Sequence, residues 1–193
     1  MKVAIVKYNA GNIRSVDFAL KRLGVDASIT DDHELLKKAD KVIFPGVGEA
    51  STTMKYLKER GLDELIRGLK QPVLGICLGL QLMCAASEEG PTDCIGIFDL
   101  IAKKFEPKLK VPHMGWNSLG NIRGSLIPAD LEGRFTYFVH SYYAPLGEHT
   151  IAEADYIVSF SAALERDNFY ATQFHPEKSG SVGEMILENF LSL

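Results

Sequence analysis

The stretch Pro72-Val-Leu-Gly-Ile-Cys77-Leu-Gly-Leu-Gln81 decides how the rest of the chain is read. An apolar run ends in Gly75-x-Cys77-x-Gly79 and passes directly into a second apolar segment, so a buried strand is expected to turn sharply into a helix at the cysteine. Glycine two positions to either side removes the Cβ atoms that such a turn would force together. A side chain at the apex projects beyond the sheet, and a helix beginning there places its partial positive charge beside the sulfur, which favours thiolate. The N–H of Leu78 would then point where the oxyanion of a tetrahedral intermediate forms. A cysteine in a soluble protein is most often a small buried hydrophobe. That is the reading for Cys84, which has no glycine turn and is expected two helical turns further along the same face.

Upstream, residues 2–6, 25–30 and 41–44 read as strands, with 72–77 as the fourth. Helices lie between them: Val16, Ala19, Leu20 and Leu23 recur at helical spacing after Asn12, an N-cap type, and Gly24 is placed to end that helix. Strand and helix in alternation imply parallel pairing with right-handed crossovers, and a ligand site beyond the carboxyl ends of the strands. After Cys94 the pattern changes to short strands at 95–98, 101–105, 136–140, 156–160 and 169–174, which predicts mixed or antiparallel pairing. Residues 179–193 carry an apolar stripe suited to a helix that covers one sheet face. One α/β domain over residues 1–193 is expected, in three layers around a mostly parallel central sheet with a mixed or antiparallel C-terminal part.

Composition narrows the function. With 46% hydrophobic and 24% charged residues, the chain sits near the globular average, which argues against disordered and coiled-coil classes. The 21 Lys and Arg against 25 Asp and Glu leave a formal charge of -4, with no general field for a nucleic acid. There is no leader pattern and no apolar span of membrane length, so a cytoplasmic protein is expected, without membrane or nucleic-acid partners. Three cysteines are an odd set that fits a reducing compartment, and no CxxC or HExxH spacing calls for a metal.

A thiolate nucleophile needs a proton acceptor and a group to orient it. Phe169-Tyr-Ala-Thr-Gln-Phe-His175-Pro176-Glu177 offers both. On an extended segment His175 and Glu177 share a face, so the carboxylate can hold the imidazole tautomer. Alone, His-Pro-Glu is more often a solvated turn; its presence beside a cysteine elbow changes the balance. Phe44-Pro45-Gly46-Val47-Gly48 closes a strand with a glycine-flanked loop, and the Val47 N–H is the candidate second oxyanion donor. His113, His140 and His149 have no carboxylate two residues on, and no catalytic role is read for them.

Gly75-Ile-Cys77-Leu-Gly79-Leu-Gln81 with His175-Pro-Glu177 resembles the class I, triad-type glutamine amidotransferases, over nearly the whole chain. The resemblance implies a flavodoxin-like fold, Cys77 as nucleophile, His175 as acid and base, Glu177 as orienting carboxylate, and no cofactor. Tyr8-Asn-Ala-Gly11-Asn12-Ile-Arg14, Pro112-His-Met-Gly115-Trp116-Asn117 and Phe138-Val-His140-Ser141-Tyr142-Tyr143 are similar to one branch, the glutaminase subunits of imidazole glycerol phosphate synthases. By that resemblance Gly48, Gln81, Ser141 and Tyr142 hold glutamine. The single Trp116, which core packing would also suit, Tyr137 before the His-Ser-Tyr segment and Lys178 after Glu177 are interface candidates, with Asn12. It also implies a heterodimer with a cyclase subunit of (β/α)₈-barrel fold, which would use the ammonia in histidine biosynthesis. Lys7 departs from the acidic residue common in that branch. The alternatives are the glutaminase of another synthase, of the anthranilate, aminodeoxychorismate or guanylate type, and a cysteine peptidase or binding protein on the same fold.

Overall fold

In the computed structural model, which describes residues 1–8 and 11–193, the first half alternates strand and helix. It runs β1 (Val3–Val6), α1 (Ile13–Arg22), β2 (Ala27–Thr30), α2 (His33–Lys37), β3 (Lys41–Gly46), α3 (Ala50–Glu59), α4 (Leu62–Gly68), β4 (Val73–Cys77) and α5 (Leu78–Met83). The second half is strand-rich: β5 (Cys84–Ser87), β6 (Thr92–Asp93), β7 (Phe98–Lys104), β8 (His113–Ser118), β9 (Phe135–His140), β10 (Tyr142–Tyr143), β11 (Thr150–Tyr156), β12 (Val158–Arg166) and β13 (Phe169–Thr172), closed by α6 (Gly180–Ser192). Asn9 and Ala10, inside the first branch-like segment, lie outside the described residues.

Seven strands form the central sheet in the order β11-β12-β13-β4-β3-β1-β2. β2, β1, β3, β4 and β13 are parallel, and β12 and β11 add on antiparallel. The wholly apolar β1 shows why the sheet is covered on both sides. Ala4 and Val6 enter the core beneath α3, α4 and α5, while Val3 and Ile5 enter the core that α1 and α6 cover. Two smaller sheets, β10-β7-β5-β6 and β8-β9, flank this body. Because β3, β4 and β13 are neighbours, Gly46 lies opposite Cys77, and Thr172 lies opposite Ile76. The segment leaving β13 toward His175 therefore starts beside the cysteine.

Four local expectations are corrected. Residues 95–97 form a loop, because the N–H groups of Cys94 to Ile97 bond to carbonyls of residues 82–85 instead of to a strand. The run 156–160 is two strands joined at Ile157 with φ 63°, a turn that an apolar residue conceals. α5 stops at Met83, so Cys84 opens β5 and does not share a helix face with Cys77; it is buried, and burial raises its thiol pKa. Asn12 stands at the N-cap of α1 with φ 72°, but its side chain makes no capping bond.

Candidate active site

Cys77 ends β4 and begins α5 with φ 54° and ψ -104°, a region costly for a side-chain-bearing residue, by about 1–3 kcal/mol. The flanking glycines are there because the backbones nearly touch. A Cβ on Gly79 would collide with the Phe44 carbonyl oxygen of the adjacent strand, and one on Gly75 would stand 3.0 Å from the Gly79 carbonyl carbon. The turn holds the sulfur at the edge of a cavity of about 250 Å³.

Among the described residues, Val139 and Gln173 offer hydrogen-bond partners to the sulfur. As a thiol the sulfur donates to the Val139 carbonyl oxygen at 3.8 Å, and it accepts from the Gln173 side-chain amide at 3.7 Å, the contact that the thiolate keeps. His175 is fully buried, with Nδ1 2.7 Å from Glu177 Oε1. A carboxylate accepts, so Nδ1 carries the proton, which leaves Nε2 as the working nitrogen. Nε2 is buried without a hydrogen-bond partner among the described residues. Burial disfavours the imidazolium, but the charges of Cys77 and Glu177 outweigh it and hold the His175 pKa well above the ordinary histidine range. Glu177 sits on a 3-10 turn, Pro176–Lys178, and not on extended chain. The turn still brings the carboxylate to the ring. Asn12, which does not cap its helix, donates to the same Glu177 oxygen.

Val47, Gly48, Leu78, Gln81, Ser141 and Tyr142 all line the cavity. Gly48 has φ 138°, which glycine alone adopts cheaply. Gln81 is buried, and its amide nitrogen donates to the Tyr142 carbonyl at 2.9 Å and to Gln173 Oε1 at 3.3 Å. Both its hydrogens are thereby used, and the carboxamide oxygen is left for the cavity. Sequence reasoning gave no role to several neighbours, among them Tyr8, Glu89, Val139, His140 and Gln173. Gln173 was open to discovery, since it lies two residues before His175 on a chain continuing a strand, the spacing that shares a face. Tyr8 was quoted only within a branch-like segment. Its hydroxyl donates to the Pro45 carbonyl at the base of the Val47 loop, and burial together with the nearby Cys77 charge keeps the phenol protonated. Glu89 lines the cavity and accepts the Ala50 N–H at 2.7 Å, tying the site to the start of α3; nothing in its sequence neighbourhood signals this.

The interface candidates gather near His175 and Glu177. Trp116 is 56% exposed and meets Tyr137 edge-on at 6.0 Å across the β8-β9 pair. The half-buried Tyr137 accepts the His175 N–H at its carbonyl at 2.9 Å. Lys178 is exposed immediately after Glu177, and Asn12 is half-buried against it.

Comparison with known proteins gives the family and the fold. The family model for class I glutamine amidotransferases matches residues 4–193. The imidazole glycerol phosphate synthase subunit HisH of Bacteroides fragilis strain YCH46 is 65% identical, covering all of both chains. The protein of the same name from Bacteroides thetaiotaomicron is also 65% identical over all of both chains. That from Pectobacterium atrosepticum is 45% identical, again with full coverage of both. Among solved structures, one described as a glutamine amidotransferase superposes with a TM-score of 0.74 at 22% identity, over 97% of this chain and 98% of that one. PurLQS from Thermotoga maritima gives 0.74 at 15% identity, over 99% and 97%. At these identities the structures speak for the fold, an α/β domain with a mostly parallel central sheet.

Proposed function

The chain belongs to the class I glutamine amidotransferase family, in the branch of the HisH subunits of imidazole glycerol phosphate synthase, and from that premise we propose how its residues work. It is the glutaminase subunit of that synthase, in histidine biosynthesis. The Cys77 sulfur, as thiolate, attacks the side-chain carbonyl carbon of glutamine. The carbonyl π electrons move to oxygen, and the N–H groups of Leu78 and Val47 stabilise the oxyanion. His175 Nε2 passes its proton to the amide nitrogen, the carbon–nitrogen bond breaks, and ammonia leaves a thioester on Cys77. His175 then takes a proton from water, the hydroxide displaces sulfur, and glutamate departs. Glu177 keeps Nδ1 protonated, so that Nε2 alternates between the two states. The observation that carries this is the buried imidazole whose one nitrogen is bound by Glu177 at 2.7 Å while the other has no hydrogen-bond partner among the described residues.

Gly48, Ser141, Tyr142 and the Gln81 carboxamide oxygen would hold glutamine. A cavity of about 250 Å³ suits one small amino acid and not an extended peptide, which favours a glutaminase over a peptidase. As a subunit, the chain works with a cyclase, for which we propose a (β/α)₈ barrel docked against Asn12, Trp116, Tyr137 and Lys178. A standard interface buries about 1,600 Å² in all. Such docking would shelter ammonia from protonation in bulk water. A cytoplasmic location goes with that reading; among the described residues no helix is long and apolar enough to cross a membrane.

The experiment separates the two activities of the complex. Cys77→Ala is expected to abolish synthesis from glutamine and to leave synthesis from ammonium salts unchanged. Residual glutamine-dependent synthesis would show that another group is the nucleophile.

A further inference from the structure

Two buried histidines take no part in the mechanism above, and their hydrogen bonds form one directed chain. A carbonyl oxygen only accepts, so His140, whose Nδ1 lies 2.8 Å from the Tyr142 oxygen, carries its proton there. Burial pushes His140 down to about 3 and His113 down to about 4, so both rings are neutral at neutral pH. Neutral His140 therefore accepts at Nε2, and His113 Nδ1, 3.0 Å away, donates. His113 Nε2 must then accept, and Asn117 Nδ2 stands 3.4 Å from it. The Asn117 amide is held the right way round, since its nitrogen also donates to the Asp155 carbonyl at 3.0 Å and its oxygen accepts the Ser118 N–H at 2.9 Å.

The chain ends on the oxygen to which Gln81 donates, and Gln81 leads through Gln173 to the sulfur. We propose that His113 and His140 are positioning residues for glutamine, a proton-ordered imidazole pair that pins the Tyr142 carbonyl and so keeps the Gln81 carboxamide oxygen, not its nitrogen, facing the cavity. Packing alone does not ask for histidine here. His113 stacks on Tyr156 at 4.1 Å and on Phe138 at 5.0 Å, and His140 sits 5.3 Å from Phe105, surroundings that phenylalanine would fill equally well. What the imidazoles add is direction: each takes a hydrogen bond on one side and gives one on the other. The inference rests on Gln81 holding glutamine.

The test uses the intact complex with its cyclase. His140→Phe keeps the ring and removes the donor, and is expected to raise the KM for glutamine roughly tenfold, about what one lost hydrogen bond to a buried acceptor is worth. kcat should change less, and synthesis from ammonium salts should remain as the check of assembly. His140→Asn, which can present a donor where Nδ1 stood, should recover most of the loss. An unchanged KM in a folded His140→Phe complex would reduce the pair to packing. Nitrogen NMR of the wild-type imidazoles tests the same point without a variant: both rings should be neutral with the proton on Nδ1, and an Nε2–H form of either would overturn the chain. If the wild-type complex lacks glutamine-dependent activity, the glutaminase reading fails instead.

Discussion

At the scale of single residues, this protein keeps three imidazoles buried and uses burial in two opposite ways. Around His175 the charges of Cys77 and Glu177 outweigh desolvation and favour the charged ring; around His113 and His140 desolvation wins and both stay neutral. The difference has a consequence for stability. An unfolded chain protonates a free histidine near pH 6.5, while folded His140 resists until about 3, so the unfolded state binds more protons between those values. Stability should therefore fall as pH is lowered from 6.5, by about 2 kcal/mol for His140 at pH 5. His175, raised in the folded state, contributes in full below 6.5 and is flat across this window. Denaturant unfolding at pH 6.5 and pH 5 should show a pH dependence that shrinks in His140→Phe. An equal slope in variant and wild type would mean that His140 is protonated in the folded protein.

At the scale of elements, the junction of β4 and α5 holds Cys77 at the edge of the cavity. It works by letting three stretches of backbone approach closely: the elbow, its flanking glycines and the end of β3. Gly79→Ala would drive a Cβ into the Phe44 carbonyl, a rigid neighbour, and should destabilise the protein by about 3 kcal/mol, with loss of glutaminase activity. Denaturation midpoints compared with those of Gly68→Ala, where the new Cβ meets nothing within 4 Å beyond its own helix and chain neighbours, check this; equal midpoints would show the elbow to be slack. This junction was legible from the chain, because apolar run, glycine and cysteine obey local rules. The hairpin at Ile157 was not. Its φ of 63° is imposed by the pairing of Tyr156 with Val158, and neither residue type announces a turn. The short α5 was hidden for a related reason: after Met83 the chain pairs with β7, and sheet bonding overrides the helical preference of Leu and Met.

At the scale of the whole molecule, the proposed triad lies near the surface that carries Trp116, Tyr137, Lys178 and Asn12, so a partner seated there would lie against the proposed chemistry. An exposed tryptophan edge-on to a tyrosine is the kind of anchor that dominates interfaces. Trp116→Ala should weaken binding to the cyclase roughly thirtyfold while the fold is retained, as titration of the two subunits would show. Unaltered affinity would move the docking surface elsewhere. From sequence alone came the parallel α/β core and the candidate nucleophile, base and carboxylate, because each follows spacing along a strand or turn; the residues proposed to hold glutamine came from the family resemblance, not from spacing. Tertiary structure alone decided which distant groups meet. Gln173 reaches Cys77 across 96 positions, Asn12 turns from its helix to Glu177 across 165, and His113 joins His140 across 27. Such contacts arise when neighbouring strands bring their ends together and burial forces every polar atom to find a partner, a demand that no local pattern records.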